Sequence, residues 1–476
     1  MDNSAVNREQ SSRPGRPLAS SLDSGHVSLE GLHSTVSVPD QQAGFWEQWR
    51  AFVGPAILVS VGYMDPGNWG TDLQGGAQFK YGLLWVIGIA SLMAIFMQVI
   101  AARLGVVTGK DLAQCCRDWY PAWTRRPNWL MSEIAIGACD LAEVLGSAVA
   151  INLLFHVPLL WAVIITGLDV LLLLGLQRFG MRTIEAIVLL LVATIAVCYF
   201  IEIFVLPQTR PSFLEMGQAL VTPHFRQAGM LYVAIGIIGA TVMPHNLYLH
   251  SALVQSRKFQ KDEPSIRRAI QFNTLDSTIA LTIAFFINAA ILVLAATVFF
   301  GKQSVTVPDG RTIMFSPDSD WIRVAYLTLA PLLGATIAGT LFAVALLASG
   351  QSSTITGTLA GQVVMEGFMH WRIQPWVRRL ITRTLAIIPA VLIIGLRGES
   401  SVTDLLILSQ VVLALQLPFA MFPLLQFTSS RRRMGKWRNG MFLLIAGWSS
   451  AILITAIDLY GLPESMRTAW HIIAGG

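Results

Sequence analysis

The sequence predicts an all-α polytopic membrane protein, and its composition, its long apolar runs and its sparse charge predict that fold class. Hydrophobic residues make up 54% of the 476 residues and charged residues only 13%, with a mean hydropathy of +0.59. Soluble domains carry about 25% charged residues, so this composition excludes a soluble globular fold. The net charge of +5 comes from basic residues near the ends of apolar runs, which argues against a nucleic-acid partner.

Eleven apolar runs are long enough to cross a bilayer, whose core about 30 Å thick needs about 20 residues per helix. The predicted spans are 50–80, 82–107, 128–153, 155–176, 184–206, 227–256, 273–300, 327–358, 378–397, 402–427 and 440–462. Lys and Arg are concentrated in the loops on one side, for example at Arg125-Arg126 and Arg431-Arg432-Arg433. This asymmetry predicts an amino terminus inside the cell and a carboxyl terminus outside.

The first and sixth spans are each interrupted by a proline beside polar side chains, at Asp65-Pro66-Gly67-Asn68 and Met243-Pro244-His245-Asn246. A helix in lipid tolerates such a break only where it lines a cavity or is buried in protein. Spans one to five and six to ten therefore form two halves that each open with a broken helix. Because five is odd, the second half enters the membrane upside down, which is the 5+5 inverted repeat of the LeuT-type fold.

These features divide the chain into four parts. Residues 1–45 are rich in Ser, Gly, Gln and Arg without the apolar core of a signal peptide, which predicts a disordered cytoplasmic tail. The first repeat is expected over 46–206 and the second over 227–427, and 440–462 is an additional eleventh helix.

The first break carries candidate ion ligands. Asp65 lies in an apolar helix, where an unpaired carboxylate costs at least ~2.5 kcal/mol. Pro66 removes a backbone donor and Gly67 permits unusual backbone angles, so the unwound turn can offer the Gly62 carbonyl, and Asn68 adds a neutral oxygen. A proline kink with Asp65 as a helix cap would explain this break alone, but the matching second break favours an ion site.

The second break supplies a free carbonyl at Ala240 and the thioether of Met243. A lone Met in an apolar helix is usually core filler, but beside a broken backbone it is a plausible soft ligand. Thioether sulfur favours transition metals over Ca²⁺ and Mg²⁺, which prefer oxygen. The combined ligand set therefore indicates a transition-metal site.

Titratable side chains near the breaks suggest a proton route. His245 adjoins the second break, whereas structural and functional interpretations of His250 are equally open. Asp140 and Glu143 follow Glu133 by seven and ten residues, so all three carboxylates lie within about 80° on one helix face. The counter-charge for these carboxylates is expected from Arg383 in span nine, and a purely structural ion-pair network is the alternative. Gln410 in span ten indicates only a polar helix contact.

Five stretches resemble the Nramp family of proton-coupled divalent-metal transporters, and the likeness covers about residues 50–425. They are DPGNWGTD (65–72), DLAEVLGSA (140–148), MPHNLYLHSALVQSR (243–257), ASGQSSTITGTLAGQ (348–362) and LSQVVLALQLPFA (408–420). The chain departs from the family's common pattern at Gly70, where Ala is usual, and at Lys80, where Gly is usual.

The resemblance implies roles for individual residues. The metal-ligand side chains would be Asp65, Asn68 and Met243, joined by the carbonyls of Gly62 and Ala240 and, in an occluded state, by Gln410. His245, Glu133, Asp140 and Glu143 would form the proton-linked network, with Arg383 along that path. Because a magnesium-transporting offshoot of the family is expected to lose the Met, the presence of Met243 and His245 implies a manganese- or iron-type member.

The leading hypothesis is therefore a proton-coupled importer of Mn²⁺ or Fe²⁺ that works by alternating access, and not an enzyme, since no nucleotide-binding loop or nucleophile–base pair appears. Its expected partners are the metal ion, the proton and the lipid bilayer, with no cofactor beyond the transported ion and no obligatory protein partner. A multi-pass protein of a bacterial cytoplasmic membrane is expected. The alternatives are a sodium-coupled organic-solute symporter on the same fold, a Mg²⁺-selective transporter, and a receptor that senses metal without moving it.

Overall fold

The computed structural model is almost entirely helical. It describes residues 34–39, 43–169, 181–205, 211–225, 227, 229–306, 312–316, 319–333, 337–371, 373–398 and 402–474. Within these ranges, nine helices are long and apolar enough to cross a membrane. The first and fourth predicted spans supply shorter helices, because the first is broken in two and part of the fourth, residues 170–180, lies outside the described residues.

Eighteen α-helices and four short strands follow one another in the described residues. The helices are α1 Phe45–Phe52, α2 Pro55–Gly62, α3 Pro66–Phe79, α4 Leu84–Thr108, α5 Leu112–Trp119, α6 Arg125–Phe155, α7 Leu159–Ile165, α8 Met181–Phe200, α9 Phe213–Val221, α10 Met230–Val242, α11 Pro244–Leu253, α12 Glu263–Val298, α13 Trp321–Leu333, α14 Ala338–Met369, α15 Pro375–Arg397, α16 Val402–Ser429, α17 Arg431–Met434 and α18 Met441–Ala474. The strands are β1 Val36–Ser37, β2 Arg257–Lys258, β3 Ser304–Thr306 and β4 Thr312–Met314.

The observed helices differ from the predicted seventh and eighth spans. The run predicted at 327–358 is divided between α13 and α14, and α14 continues to Met369. Its polar stretch from Ser349 to Gly357 is buried against α6, so the protein rather than lipid surrounds it and the helix need not end there. Helix α12 begins at Glu263, ten residues before the predicted 273–300 span, because the first turns of the helix extend past the apolar run.

Part of the predicted disordered tail has structure. Residues 36–37 form β1, which pairs in parallel with β2, and α1 starts at Phe45. The composition of this segment does not predict the strand, because the strand depends on pairing with Arg257 and Lys258, more than 200 positions later in the chain. The prediction for residues 1–33 and 40–42 lies outside the described residues.

Helix packing follows the inverted repeat. The first broken helix packs on the seventh (α3 on α12), and the sixth packs on the second (α10 on α4), which is the same contact with the repeats exchanged. The third helix packs on the tenth (α6 on α16), and the eighth packs on the fifth (α14 on α8) in the same exchanged manner. This pairing agrees with two halves of five helices. It surrounds the two breaks with protein on all sides, where unsatisfied backbone is tolerated.

Candidate metal site

The first break is a helix end followed directly by a helix start. Helix α2 ends at Gly62, and α3 begins at Pro66, the position where proline fits because its missing N–H has no partner in a first helical turn. Asp65 is the N-cap of α3, and its Oδ1 accepts a hydrogen bond of 2.8 Å from the backbone N–H of Asn68. The capping role considered for Asp65 is therefore present, and it uses only one carboxylate oxygen.

The second break is a sharp backbone turn at Met243. This residue joins α10 to α11 with φ +35° and ψ +107°, a positive φ that a side-chain-bearing residue adopts rarely. Pro244 then starts α11. Strained backbone of this kind persists only where the surroundings hold it, and it is frequent at binding sites.

Each proline frees one carbonyl four residues earlier. In a continuous helix the Gly62 oxygen would accept from the N–H of residue 66, and the Ala240 oxygen from that of residue 244. Both of those residues are proline and have no N–H. Both oxygens therefore lack their usual helical donor, and the Gly62 oxygen instead accepts a longer bond of 3.3 Å from the Asp65 N–H. These are the two carbonyls predicted to supply ligands.

These groups converge on one point. The Asn68 amide nitrogen lies 3.1 Å from the Ala240 oxygen and 3.4 Å from the Gly62 oxygen. A methyl group built on Gly62 would be 3.2 Å from the Met243 sulfur, so this thioether lies against the end of α2. Asp65 and Met243 are 0% exposed, and the second carboxylate oxygen of Asp65 has no hydrogen-bond partner among the described residues.

Gln410 reaches the same point from α16. A methyl group on Gly67 would come within 1.8 Å of the Gln410 amide nitrogen, so the glutamine side chain lies directly on the backbone of the first break. The amide oxygen of Gln410 is buried and has no hydrogen-bond partner in the described part of the chain. The residue pattern alone indicated only a polar helix contact for Gln410, whereas the family resemblance implied a ligand in an occluded state. The fold places Gln410 beside the other predicted ligand groups.

Two further amides, Asn288 and Asn246, were not predicted. Asn288 of α12 donates hydrogen bonds to the Tyr63 backbone carbonyl at 2.7 Å and to Asn68 Oδ1 at 3.3 Å. Asn246 of α11 donates to the Met243 sulfur at 3.4 Å. Asn246 could have been chosen because it belongs to the second break motif, whereas nothing in the sequence connects Asn288 with the first break.

His250 belongs to a different cluster from the carboxylates of span three. Its Nδ1 lies 2.9 Å from the Gln98 amide oxygen, and the Gln98 nitrogen donates to the Tyr63 hydroxyl at 2.6 Å. Tyr63 directly follows α2, so this chain of hydrogen bonds ties the inner part of the first broken helix to α4 and α11. The structural interpretation of His250 is the one that these contacts favour.

The three carboxylates of α6 lie on one face, as predicted, and face α15. Glu133 pairs with Arg378 at 2.9 Å. Arg379 pairs with both Asp140 and Glu143, the latter at 2.9 Å. Arg378 and Arg379 were not predicted, because the ninth span was expected to begin at residue 378 with these two at its edge; α15 begins at Pro375 and carries both inside.

Arg383 has a smaller share of this network than expected. It lies 3.6 Å from Glu143 and forms a closer ion pair with Asp169, near the end of the fourth span. The main counter-charge of Asp140 and Glu143 is Arg379, which is 1% exposed at its side chain. Asp169 was overlooked since it is one isolated acid in an apolar run.

The polar stretch of α14 completes the network and touches the first break. The hydroxyls of Ser353 and Thr354 donate to the two Glu143 oxygens at 2.8 and 3.1 Å. Ser349, on the same helix, donates to the Met64 oxygen at 2.5 Å. Helix α14 therefore contacts both the ion network and the first break.

His245 is buried in the first turn of α11. Its Nδ1 has no hydrogen-bond partner among the described residues, and in that part of the chain no hydrogen bond or ion pair joins it to Glu133, Asp140 or Glu143. The charge of Asp140 reaches His245 only electrostatically. His245 stays a predicted member of the proton route by its position alone.

The chemistry of the site follows from its donors. One free carboxylate oxygen, two backbone carbonyls, amides and one thioether can surround a single cation in a volume closed to solvent. In the described residues no three His, Cys, Asp or Glu side chains cluster as a metal cage would require. Thioether sulfur among oxygen donors favours transition-metal ions over Ca²⁺ and Mg²⁺.

Comparison with known proteins identifies the family. The family described as natural resistance-associated macrophage protein-like, Nramp, matches residues 56–464. The chain is 50% identical over 441 residues to a divalent metal cation transporter MntH of Nostoc sp., covering 92% of this chain and 96% of that protein. It is 47% identical over 439 residues to one of Listeria innocua, with coverages of 91% and 94%.

A solved structure has the same fold. The manganese transporter of Eremococcus coleocola, in complex with an aromatic bis-isothiourea substituted compound, superposes with a TM-score of 0.81 at 40% identity, over 92% of this chain and 91% of that one. All three of these proteins are named as transporters. Together with the family match over most of the chain, this confirms the resemblance seen in the motifs, and the chain belongs to the Nramp family of divalent-metal transporters.

Proposed function

We propose that this protein imports Mn²⁺, and Fe²⁺ by the same site, across the cell membrane by alternating access, with protons moving inward alongside the metal. The observation that carries the proposal is that the first break, with the Gly62 carbonyl and an Asp65 oxygen that has no partner in the described residues, meets the Met243 sulfur and the Ala240 carbonyl of the second break. Carboxylate, carbonyl and thioether together favour a first-row transition metal over Ca²⁺ and Mg²⁺. Relatives named as divalent metal cation and manganese transporters support the same substrate class.

The metal would be bound by Asp65, Asn68, Met243 and the carbonyls of Gly62 and Ala240, with Gln410 closing the site. As the Asn68 amide is oriented here, its nitrogen faces the two carbonyls and its oxygen faces Asn288. To act as an oxygen ligand, Asn68 turns its amide over, which also removes the two donors that occupy the carbonyls. Asn288 can turn its own amide over in the same step, because its side-chain oxygen has no hydrogen-bond partner among the described residues.

The proton would travel along the α6–α15 network rather than through the metal site. Asp140 and Glu143 have Arg379 and the α14 hydroxyls as partners. Ion pairs between α6 and α15 are a physical link between protonation and helix position, since losing a charge on one carboxylate weakens its pair. His245, two residues after the proposed ligand Met243 in the first turn of α11, would connect the metal site with this network.

Mn²⁺ uptake into proteoliposomes, with and without an inward proton gradient, tests the proposal. Acid outside should accelerate uptake, and excess Fe²⁺ should suppress it while Ca²⁺ and Mg²⁺ should not. Asp65→Ala should abolish uptake and calorimetric Mn²⁺ binding, because it removes the only charged ligand. Asp118→Ala, in the short loop helix α5, is the control that should behave like the unaltered protein.

The same assay separates the remaining alternatives. Met243→Ala should keep Mn²⁺ uptake but let Ca²⁺ or Mg²⁺ compete, since the softest ligand is gone. Continued exclusion of Ca²⁺ by this variant would contradict the role given to Met243. Uptake that ignores pH, or that is driven by Na⁺ and inhibited by an amino acid, would replace the proposal with the organic-solute symporter.

A further inference from the structure

The chain before the first helix is attached to the end of the second broken helix. Residues 34–38, here called the tail strap, run alongside β2, with Val36 opposite Arg257 and Ser37 opposite Lys258. The Ser34 N–H donates to the Gln255 oxygen at 3.0 Å, and the Val38 N–H donates to the Lys258 oxygen at 3.4 Å. By the Lys/Arg asymmetry, this contact lies on the predicted cytoplasmic face.

The strap is held by this strand pairing and by a few side chains. Val36 is 9% exposed, whereas its neighbour Ser37 is exposed. Val38 packs on a small apolar cluster that includes Phe52 of α1. Cavities of about 530 and 650 Å³ flank the strap and are both lined by Ser37, so it is not wedged between helices.

Strand β2 also contacts the residues that lead into the first broken helix. Arg257, in β2, donates to the Val53 oxygen at 2.7 Å and to the Ala51 oxygen at 3.2 Å, and pairs with Glu185 of α8 at 2.8 Å. Asp276 of α12 accepts from the N–H of Ala56 at 3.0 Å, in the first turn of α2. The inner halves α2 and α11 thus meet the strap at one junction.

We propose that the tail strap is a latch on the cytoplasmic face, whose strand pairing must separate before the inner halves α2 and α11 move apart to release the metal. This inference rests on the proposed function, because it assumes that the site opens inward. Release from a buried site requires α2 to leave its neighbours, and the strap connects the chain leading into α2 to the chain leaving α11. Two-residue strand pairs are marginal, so the latch slows opening rather than preventing it.

A reversible cross-link tests whether the latch must open. Ser37→Cys with Lys258→Cys places two thiols at a register pair of exposed side chains, and the four native cysteines are buried. Oxidation should lower Mn²⁺ uptake more than tenfold, and reduction should restore it, while Mn²⁺ affinity measured from outside stays constant. The matched control is Ser304→Cys with Met314→Cys across β3 and β4, where cross-linking should leave uptake unchanged. Complete cross-linking of the strap with full uptake would overturn the proposal.

A second measurement needs no transport. Ser60→Cys, buried in α2, reports inward opening by its rate of labelling with a membrane-impermeant maleimide from the cytoplasmic side. Adding Val36→Asp should raise that rate, and the uptake rate, roughly two- to fivefold, because a buried charge detaches the strand. Adding Ser37→Asp, at the exposed neighbour, should change neither.

The labelling result stands even if the protein carries no Mn²⁺. Equal labelling with and without Val36→Asp would refute the latch. Faster labelling without Mn²⁺ uptake in any variant would keep the latch and refute the proposed function.

Discussion

At the scale of single residues, the orientation of one amide connects the proposed metal ligands to the rest of the protein. Asn68 reaches both freed carbonyls with its nitrogen, and Asn288 contacts its oxygen at 3.3 Å. Asn288 also donates to the Tyr63 oxygen, which fixes the backbone just after α2. An amide that must present either end needs a neighbour that can both donate and accept, and asparagine can do both.

Replacing Asn288 should therefore weaken metal binding, although Asn288 is not itself a proposed ligand. Asn288→Leu removes the partner of Asn68 and leaves the Tyr63 carbonyl unbonded, so we expect the Mn²⁺ Kd to rise about tenfold, the equivalent of roughly 1.4 kcal/mol. Isothermal titration in detergent measures it. Asn273→Leu, on the same helix but bonded to the Ala269 oxygen, should leave the Kd unchanged. Equal losses in both variants would mean that Asn288 acts only through the stability of α12.

At the scale of elements, short polar signals decide where helices begin. Helix α5 starts with a capping box, in which Asp111 accepts from the Gln114 N–H at 2.8 Å and the Gln114 side chain accepts from the Asp111 N–H at 3.1 Å. The helix packs against α14 at Gly367, where a methyl group would be 3.0 Å from the Asp111 carboxylate. The close packing buries this cap outside the membrane spans.

Burial raises the pKa of Asp111 to about 7, against the lowering effect of the Gln114 N–H. Because the folded pKa exceeds the unfolded value near 4, the folded state binds this proton more tightly, and stability falls as pH rises from about 4 to about 7. Asp111→Asn keeps an oxygen acceptor and removes the titration. We expect the Tm in detergent to fall less between pH 5 and pH 8 in this variant than in the unaltered protein. Parallel Tm curves would show that the cap does not titrate in this range.

At the scale of the whole molecule, the site exists only where the two repeats touch. Gly67 of the first repeat and Gln410 of the second meet so closely that a methyl group would lie 1.8 Å from the amide nitrogen. Three residues later, a methyl group on Gly70 would be 3.2 Å from the Leu406 side chain, a contact that a small shift relieves. The two repeats are therefore in close contact at the predicted metal site.

These two glycines give a matched test of that contact. Gly67→Ala should displace the Gln410 amide from the first break and reduce Mn²⁺ uptake at least tenfold, because the added methyl group takes the place of this proposed ligand. Gly70→Ala should retain uptake within about twofold, since its neighbour needs to move only a few tenths of an ångström. Uptake by Gly67→Ala at the unaltered rate would show that Gln410 can leave the break at no cost to transport.

Local features of the sequence predict the membrane fold, both breaks and the residues at them. Apolar length, proline position and a carboxylate in lipid are local properties, so Asp65, Asn68 and Met243 could be chosen without coordinates. The boundary errors arose where protein rather than lipid surrounds a helix, as along the polar stretch of α14, which buries its hydroxyls against α6.

Which side chains and strands contact one another depended on the packing of distant segments. Arg379 rather than Arg383 became the main counter-charge of Asp140 and Glu143 because α15 begins at Pro375 and turns that arginine toward α6. Asn288 lies far along the chain from the first break, and the tail strap pairs with residues more than 200 positions away. Contacts between distant segments depend on how helices pack, and no spacing within one segment encodes them.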